Sequence, residues 1–227
     1  MILVTGASEG IGFACARELV ARTGARVLIT GRDRSKLDRA RAALGCSAMV
    51  CDQSREADVA ALVAVLDTQA IEGAILTVGV NPAYSEGPRR LHALSAATIE
   101  QTVRTNCIHA MRLTGALLHR FRRLRGGVLI WIGSQAQGIG LPGAGLYCAT
   151  KSFLAGLART AHHEYTDRGI RVHLAHPGIV RTPRTASVAD AFAHRHGLAV
   201  AEAPDIARQI VDLYFDGDPC AVEVNLC

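Results

Sequence analysis

Short apolar runs alternate along the chain with longer stretches in which apolar positions recur every three or four residues. The runs are "ILV" (2–4), "RVLIT" (26–30), "AMVC" (48–51), "GAILTV" (73–78), "GVLIWI" (127–132), "IRVHLA" (170–175) and "AVEVNL" (221–226). Each is rich in Val, Ile or Leu and bounded by glycine or polar residues, which predicts buried strands. Their continuous apolarity predicts a sheet covered on both faces. Between them the spacing predicts helices over 11–22, over 34–44 behind an Asp33 cap, and from Ser54 to about Gln69 with Val59, Leu62, Val63 and Leu66 on one face. Further helices are expected behind Ser95, carrying Ile99, Val103 and Met111, over 145–167, and from Pro204 with Ile206, Ile210 and Leu213 inward. This order predicts right-handed βαβ units in a doubly wound parallel α/β sheet. The 227 residues suit one domain over 1–227, with no repeat or linker and one long irregular stretch at roughly 178–203.

Composition narrows the partners. Apolar residues make up 49% of the chain, yet no run approaches the ~18–20 residues of a membrane span. The chain opens directly on a strand, without the pattern of a secretory leader, so neither export nor a membrane is expected. Seven cysteines, an odd number without a CxxC pair, fit a reducing cytoplasm. The formal charge of +5 is spread along the chain except at "RFRRLR" (120–125), where cations complement a helix C-terminus. With 4% aromatic residues there is little for base stacking, and no nucleic-acid partner is expected. The histidine pairs His162/His163 and His194/His196 lack a completing ligand set, so no metal is expected.

The chemistry begins at "VTGASEGIG" (4–12), entered by a strand and left by a helix. Glycines at 6, 10 and 12 let the backbone turn sharply and approach a ligand. Free amides at the helix start suit a diphosphate. After the second strand, Gly31 and Arg32 occupy the place where a dinucleotide's adenosine ribose is read. An acid there suits NAD, whereas Arg32 suits the 2′-phosphate of NADP. At "LYCATKSF" (146–153) a tyrosine and a lysine stand four apart on one helix face, with Cβ atoms ~5–6 Å apart.

Together these features resemble the short-chain dehydrogenase/reductases. The resemblance rests on "TGASEGIG" (5–12), Asp52 after the third strand, Asn106 in "TNC", Ser134 in "IGS", "YCATK" (147–151) and "HPGIVRT" (176–182). Ser134 precedes Tyr147 by thirteen residues, the family's spacing. The resemblance implies a Rossmann-like sheet of seven strands with three helices on each face, and a homodimer or homotetramer built through the long helices after strands four and five. It implies NADP(H)-dependent reduction of a ketone or aldehyde, or oxidation of the alcohol. Tyr147 would be the acid/base and Ser134 the hydrogen-bond donor to the substrate oxygen. Lys151 would hold the nicotinamide ribose and lower the tyrosine pKa, and Asn106 would support a water beside it. The cofactor would contact Gly6, Ser8, Gly10, Ile11, Gly12, Arg32, Asp52, Gly79, Tyr147, Lys151, Pro177, Ile179 and Thr182.

The chemistry is coherent. A free phenol titrates near ~10, and a neighbouring cation favours its ionised form. Hydride transfer belongs to the cofactor, and the protein manages the proton. Two departures stand out. The family's "NNAG" is replaced by Leu76, Thr77, Val78 and Gly79, which leaves local sheet hydrogen bonding in question. Glu9 stands where NADP-preferring members often carry a cation, and would repel a 2′-phosphate unless turned away. The stretch after "HPG" is expected to be the substrate lid. Its Arg181, Arg184, His194, Arg195 and His196 either serve a carboxylate-bearing substrate or simply face water. A nucleotide-sensing regulator, or a dehydratase or lyase on the same scaffold, would use the same glycine turn.

Overall fold

A computed structural model describes residues 1–24, 26–196 and 199–226. The side chains of Phe192, Arg195 and His196 lie outside the described part. The expectations placed on the last two stay with them.

The first half winds outward from the centre. Strand β1 (Ile2–Thr5) leads through α1 (Gly10–Thr23) to β2 (Val27–Gly31), then through α2 (Arg34–Leu44) to β3 (Ser47–Val50). Helix α3 (Glu56–Thr68) returns the chain to β4 (Gly73–Leu76) on the other side of β1. There follow α4 (Pro82–Ser85), α5 (Ala96–Val103), a π-helical turn over Arg104–Ile108, and α6 (His109–Leu124). Strand β5 (Gly127–Ile132), α7 (Ala136–Ile139) and α8 (Gly145–Tyr165) lead to β6 (Ile170–Pro177). The chain ends with β7 (Ile179–Arg181), α9 (Ala189–His196), β8 (Val200–Glu202), α10 (Ala203–Asp216) and β9 (Glu223–Leu226). The main sheet has seven parallel strands in the order β3-β2-β1-β4-β5-β6-β9.

Two hydrophobic layers cover this sheet, as the continuous apolar strands predict. Successive strand residues point to opposite faces. Thus Ile2, Val4, Ile130 and Ile132 pack with α1, α2 and α10, while Leu3, Leu129 and Trp131 pack with α3, α6 and α8. Burying one such side chain contributes roughly 1.5–3 kcal/mol. The helix ends follow local rules. Asp33 accepts the Lys36 N–H at 2.9 Å to cap α2, and Gly45 closes that helix in the left-handed region.

Three details differ from expectation. The helix behind Ser95 ends at Val103 in a π-helical turn, and its expected apolar positions Ile99 and Met111 are exposed. Ser54 does not cap α3; its N–H and hydroxyl both donate to Asp52, and Arg55 holds the cap position without a side-chain bond. The stretch 178–203, read as irregular, contains α9 and the short parallel pair β7–β8. Those strands were too short for a periodicity signal. Arg181 joins them by pairing with Asp190 and Glu202.

Candidate active site

The sheet order reverses between β1 and β4, which opens a crevice at their C-terminal ends. The glycine turn occupies it. Gly6 and Gly10 have φ of 63° and 61°, a conformation that favours glycine. A Cβ on Gly12 would lie 2.5 Å from the Gly6 carbonyl oxygen, so α1 packs directly on the turn. Ser8 closes on the second strand, 3.2 Å from where a Cβ on Gly31 would lie, and Ile11 is half-buried against the core. The resulting cradle of backbone amides at a helix start fits a dinucleotide's diphosphate.

Thr77 answers the question raised by the missing asparagines. Its hydroxyl donates to the Thr5 carbonyl at 2.6 Å, and its N–H donates to the Thr5 hydroxyl at 3.1 Å. This reciprocal pair ties the ends of β1 and β4 together beside Gly6.

The end of the crevice expected to meet an adenosine carries more charge than the sequence suggested. Arg32 is exposed and forms none of the ion pairs found among the described residues. The Glu9 carboxylate does not stand alone: Lys36 Nζ lies 2.7 Å from it. Burial works against the Asp52 charge, but hydrogen bonds from Ser54 and the nearby cations Arg32 and Arg55 outweigh it and hold the carboxyl below its ordinary range. Arg32 and Asp52 thus share one end of the crevice.

At the other end the structure brings Asn106, Ser134, Tyr147 and Lys151 together. The π-helical turn buries Asn106 and aims its amide at two elements. Its oxygen accepts the Val80 N–H at 2.8 Å, and its nitrogen donates to the Val80 carbonyl at 2.8 Å and to Thr150 Oγ1 at 3.0 Å. Thr150 in turn donates to the Tyr147 carbonyl at 2.9 Å. Nothing in the sequence pattern singled out Thr150, which lies between the tyrosine and the lysine.

Lys151 is 3% exposed, and its ammonium donates to the Ile132 carbonyl at 2.6 Å. It sits 5.5 Å from the centre of the Tyr147 ring, and a Cβ on Gly79 would lie 3.2 Å from Nζ. Burial pushes the ammonium down to about 8. Tyr147 is half-buried, and, against the expectation that Lys151 lowers it, its phenol is pushed above the usual tyrosine range, because burial outweighs the neighbouring charges. The neighbouring Ser134 hydroxyl and the Arg184 guanidinium oppose that shift. Ser134 also accepts the Ala136 N–H at 3.2 Å, which fixes the hydroxyl at the end of β5.

The last part of the site comes from the stretch after β6. Pro177 is buried at the end of β6, and Ile179 begins β7. The Thr182 side chain lies 3.4 Å from where a Cβ on Gly10 would be. Arg184, one of five basic residues singled out in that stretch, donates to the Gly79 carbonyl at 2.9 Å.

A single crevice therefore joins an amide cradle to a Ser–Tyr–Lys cluster. The sequence profile of the short chain dehydrogenase family matches residues 1–192. The 3-oxoacyl-acyl-carrier-protein reductase FabG of Salmonella typhimurium is 31% identical over 188 residues, 83% of this chain and 76% of that one. A short-chain dehydrogenase from Sphingobium yanoikuyae, solved with NADPH, superposes with a TM-score of 0.81 at 26% identity, covering 99% of this chain and 86% of that one. The 3-ketoacyl-acyl-carrier-protein reductase of Brucella melitensis, solved with NADH, shares the fold with a TM-score of 0.87 at 23% identity, covering 99% of this chain and 95% of that one. The chain belongs to the short-chain dehydrogenase/reductase family of oxidoreductases.

Proposed function

We propose that this oxidoreductase uses NADP(H) to reduce a ketone or aldehyde to an alcohol, or to run the reverse oxidation, with Tyr147 as acid/base. The observation that carries the reading is the convergence of Ser134, Tyr147 and Lys151 beside the glycine cradle. When bound, NADPH supplies the hydride that reaches the carbonyl carbon. The Ser134 hydroxyl donates a hydrogen bond to the carbonyl oxygen and stabilises the charge that develops there. Tyr147 gives its phenolic proton to the same oxygen. A phenol pKa raised by burial keeps that proton in place until it is needed, which suits reduction. Lys151 holds the ribose beside the nicotinamide, and its charge stabilises the phenolate left after transfer. Asn106 keeps α8 and the chain after β4 in register, so that the tyrosine and the lysine face the same space.

NADP(H) rather than NAD(H) is supported by Arg32 and by the Glu9–Lys36 pair. Solved relatives hold either cofactor, NADPH in the Sphingobium protein and NADH in the Brucella protein. The Salmonella relative's name carries over to this chain only as ketone reduction.

We read residues 1–227 as one domain, with approximately 178–203 as the substrate lid. Its Thr182 and Arg184 reach the cradle and the Gly79 carbonyl. A homodimer or homotetramer through α6 and α8 is supported by the exposed apolar side chains Ile108, Met111 and Phe153. Five of the cysteines are buried or half-buried and free, which fits a cytoplasmic setting. Among the described residues no helix is long and apolar enough to cross a membrane.

The test is direct. Purified protein is mixed with NADPH and a panel of aldehydes and ketones, and the nicotinamide absorbance is followed. Loss of absorbance that depends on the carbonyl supports the reading; none across the panel removes it.

A further inference from the structure

Two arginines of the stretch after β6 have different fates. Arg181 is fully committed, its guanidinium bound to both carboxylate oxygens of Asp190 and to Glu202. Arg184, three residues on, has no carboxylate partner among the described residues. Its one hydrogen bond among the described residues crosses the crevice to the Gly79 carbonyl, 105 residues away in sequence. The rest of the guanidinium fork is left with donors to offer.

Its place in the site is specific. Gly79 stands between two cations, with Arg184 on its carbonyl and Lys151 Nζ 3.2 Å from its Cβ direction. Arg184 acts electrostatically on Tyr147, Tyr84 and Lys151, the proton-handling end of the crevice. The cleft beside Tyr147, next to but not lined by Arg184, is lined by Asn81, Arg89, Leu94 and Leu146, with no acidic side chain among the described residues. An exposed arginine carbonyl bond is easily exchanged for a carboxylate, which takes two parallel hydrogen bonds from the fork.

We propose that Arg184 is a specificity residue that binds a carboxylate on the substrate, and that the enzyme acts on oxo acids. This rests on the carbonyl-reductase reading and deepens it. The rival anion is the cofactor's diphosphate. The cradle of Gly6, Gly10 and Gly12 already serves that group; Gly79 and Thr182 place Arg184 beside the cofactor's path as well, but the ionisable groups that feel its charge, Tyr84, Tyr147 and Lys151, belong to the tyrosine end.

The experiment compares 2-oxo and 3-oxo acids with their methyl esters as substrates of the whole chain with NADPH. Native protein is expected to favour acids over esters in kcat/KM by about tenfold or more, and Arg184→Gln to bring the ratio close to one. Arg184→Lys should keep part of the preference. NADPH affinity, read by fluorescence titration, should change by less than about twofold. Equal turnover of acids and esters by native protein would overturn the proposal, as would an acid preference that survives Arg184→Gln. A large loss of NADPH affinity with the preference intact would assign the guanidinium to the diphosphate. Calorimetric titration of the same acids into the NADPH-loaded protein gives an answer without turnover. Acid binding that Arg184→Gln loses supports the assignment, and no acid binding overturns it. Absence of turnover with every carbonyl, alongside arginine-dependent acid binding, would instead remove the reductase reading.

Discussion

The Glu9 carboxylate and the Lys36 ammonium lie 2.7 Å apart, between the glycine turn and the first turn of α2. The pair is part-exposed, so its direct worth to stability is only about 0–1 kcal/mol. Its larger consequence is electrostatic. Lys36 cancels the charge that would otherwise repel a 2′-phosphate near Arg32. Lys36→Ala should therefore weaken NADPH binding by about tenfold while leaving NADH nearly unchanged, whereas Glu9→Gln should tighten NADPH. Arg32→Ala should cost NADPH ~1.5–3 kcal/mol. Fluorescence titration of both cofactors reads all three. An aspartate at position 31 is a poorer probe than the sequence suggests, because its Cβ would meet Ser8 at 3.2 Å.

The Thr5–Thr77 pair supplies hydrogen bonding between the ends of β1 and β4 where the sequence lacks the family's asparagines. Thr77→Val keeps the shape and removes the hydroxyl that donates to the Thr5 carbonyl at 2.6 Å. A part-buried acceptor left unpaired costs about 1–3 kcal/mol. The urea midpoint should fall accordingly, with an unchanged slope. An unchanged midpoint would mean that water replaces the bond at no cost.

Much of this architecture was readable in the chain. All seven main-sheet strands coincide with apolar runs; the five inner ones are continuous because both faces are buried, whereas the edge strands β3 and β9 are partly exposed and β9 alternates with Glu223 and Asn225. The glycine turn, and Tyr147 with Lys151 one helical turn apart on α8, are legible because local spacing sets their geometry; Ser134, on a separate element, was legible only through the family resemblance. The pairs that complete the site are not. Glu9 and Lys36 are 27 residues apart, Thr5 and Thr77 are 72 apart, and Arg184 and Gly79 are 105 apart. Each joins separate elements, and no local periodicity encodes such a contact. Thr150 is hidden differently: a threonine inside a helix reads as surface until Asn106 is folded against it.

Gly12 admits no side chain. Gly12→Ala would place a methyl 2.5 Å from the Gly6 carbonyl oxygen, and backbone on backbone cannot yield cheaply. We expect a loss of about 1–3 kcal/mol in stability and of most cofactor binding. Thermal unfolding with and without NADPH checks both, since a variant that cannot bind shows no ligand-induced rise in Tm.

Lys151 trades stability for its role. Its ammonium titrates at about 8 in the folded chain against 10.5 in the open one. That gap corresponds to about 3 kcal/mol. Below about 8 both states hold the proton and the burial cost is present in full. Between about 8 and 10.5 unfolding takes up a proton, so the lysine's cost fades as pH rises. Lys151→Met removes that cost but leaves the Ile132 carbonyl unpaired. Relative to native protein the variant should therefore lose about 2 kcal/mol between pH 7 and pH 10 in urea unfolding. A constant difference between the two would contradict the buried charge.

The central claim is that Tyr147 delivers the proton that accompanies hydride transfer. Tyr147→Phe removes one hydroxyl and leaves the ring beside Lys151. NADPH should still bind with nearly native affinity in a fluorescence titration. Carbonyl-dependent NADPH oxidation, in the same cuvette, should fall by about a hundredfold or more. Turnover close to native, with NADPH bound normally, would contradict the account.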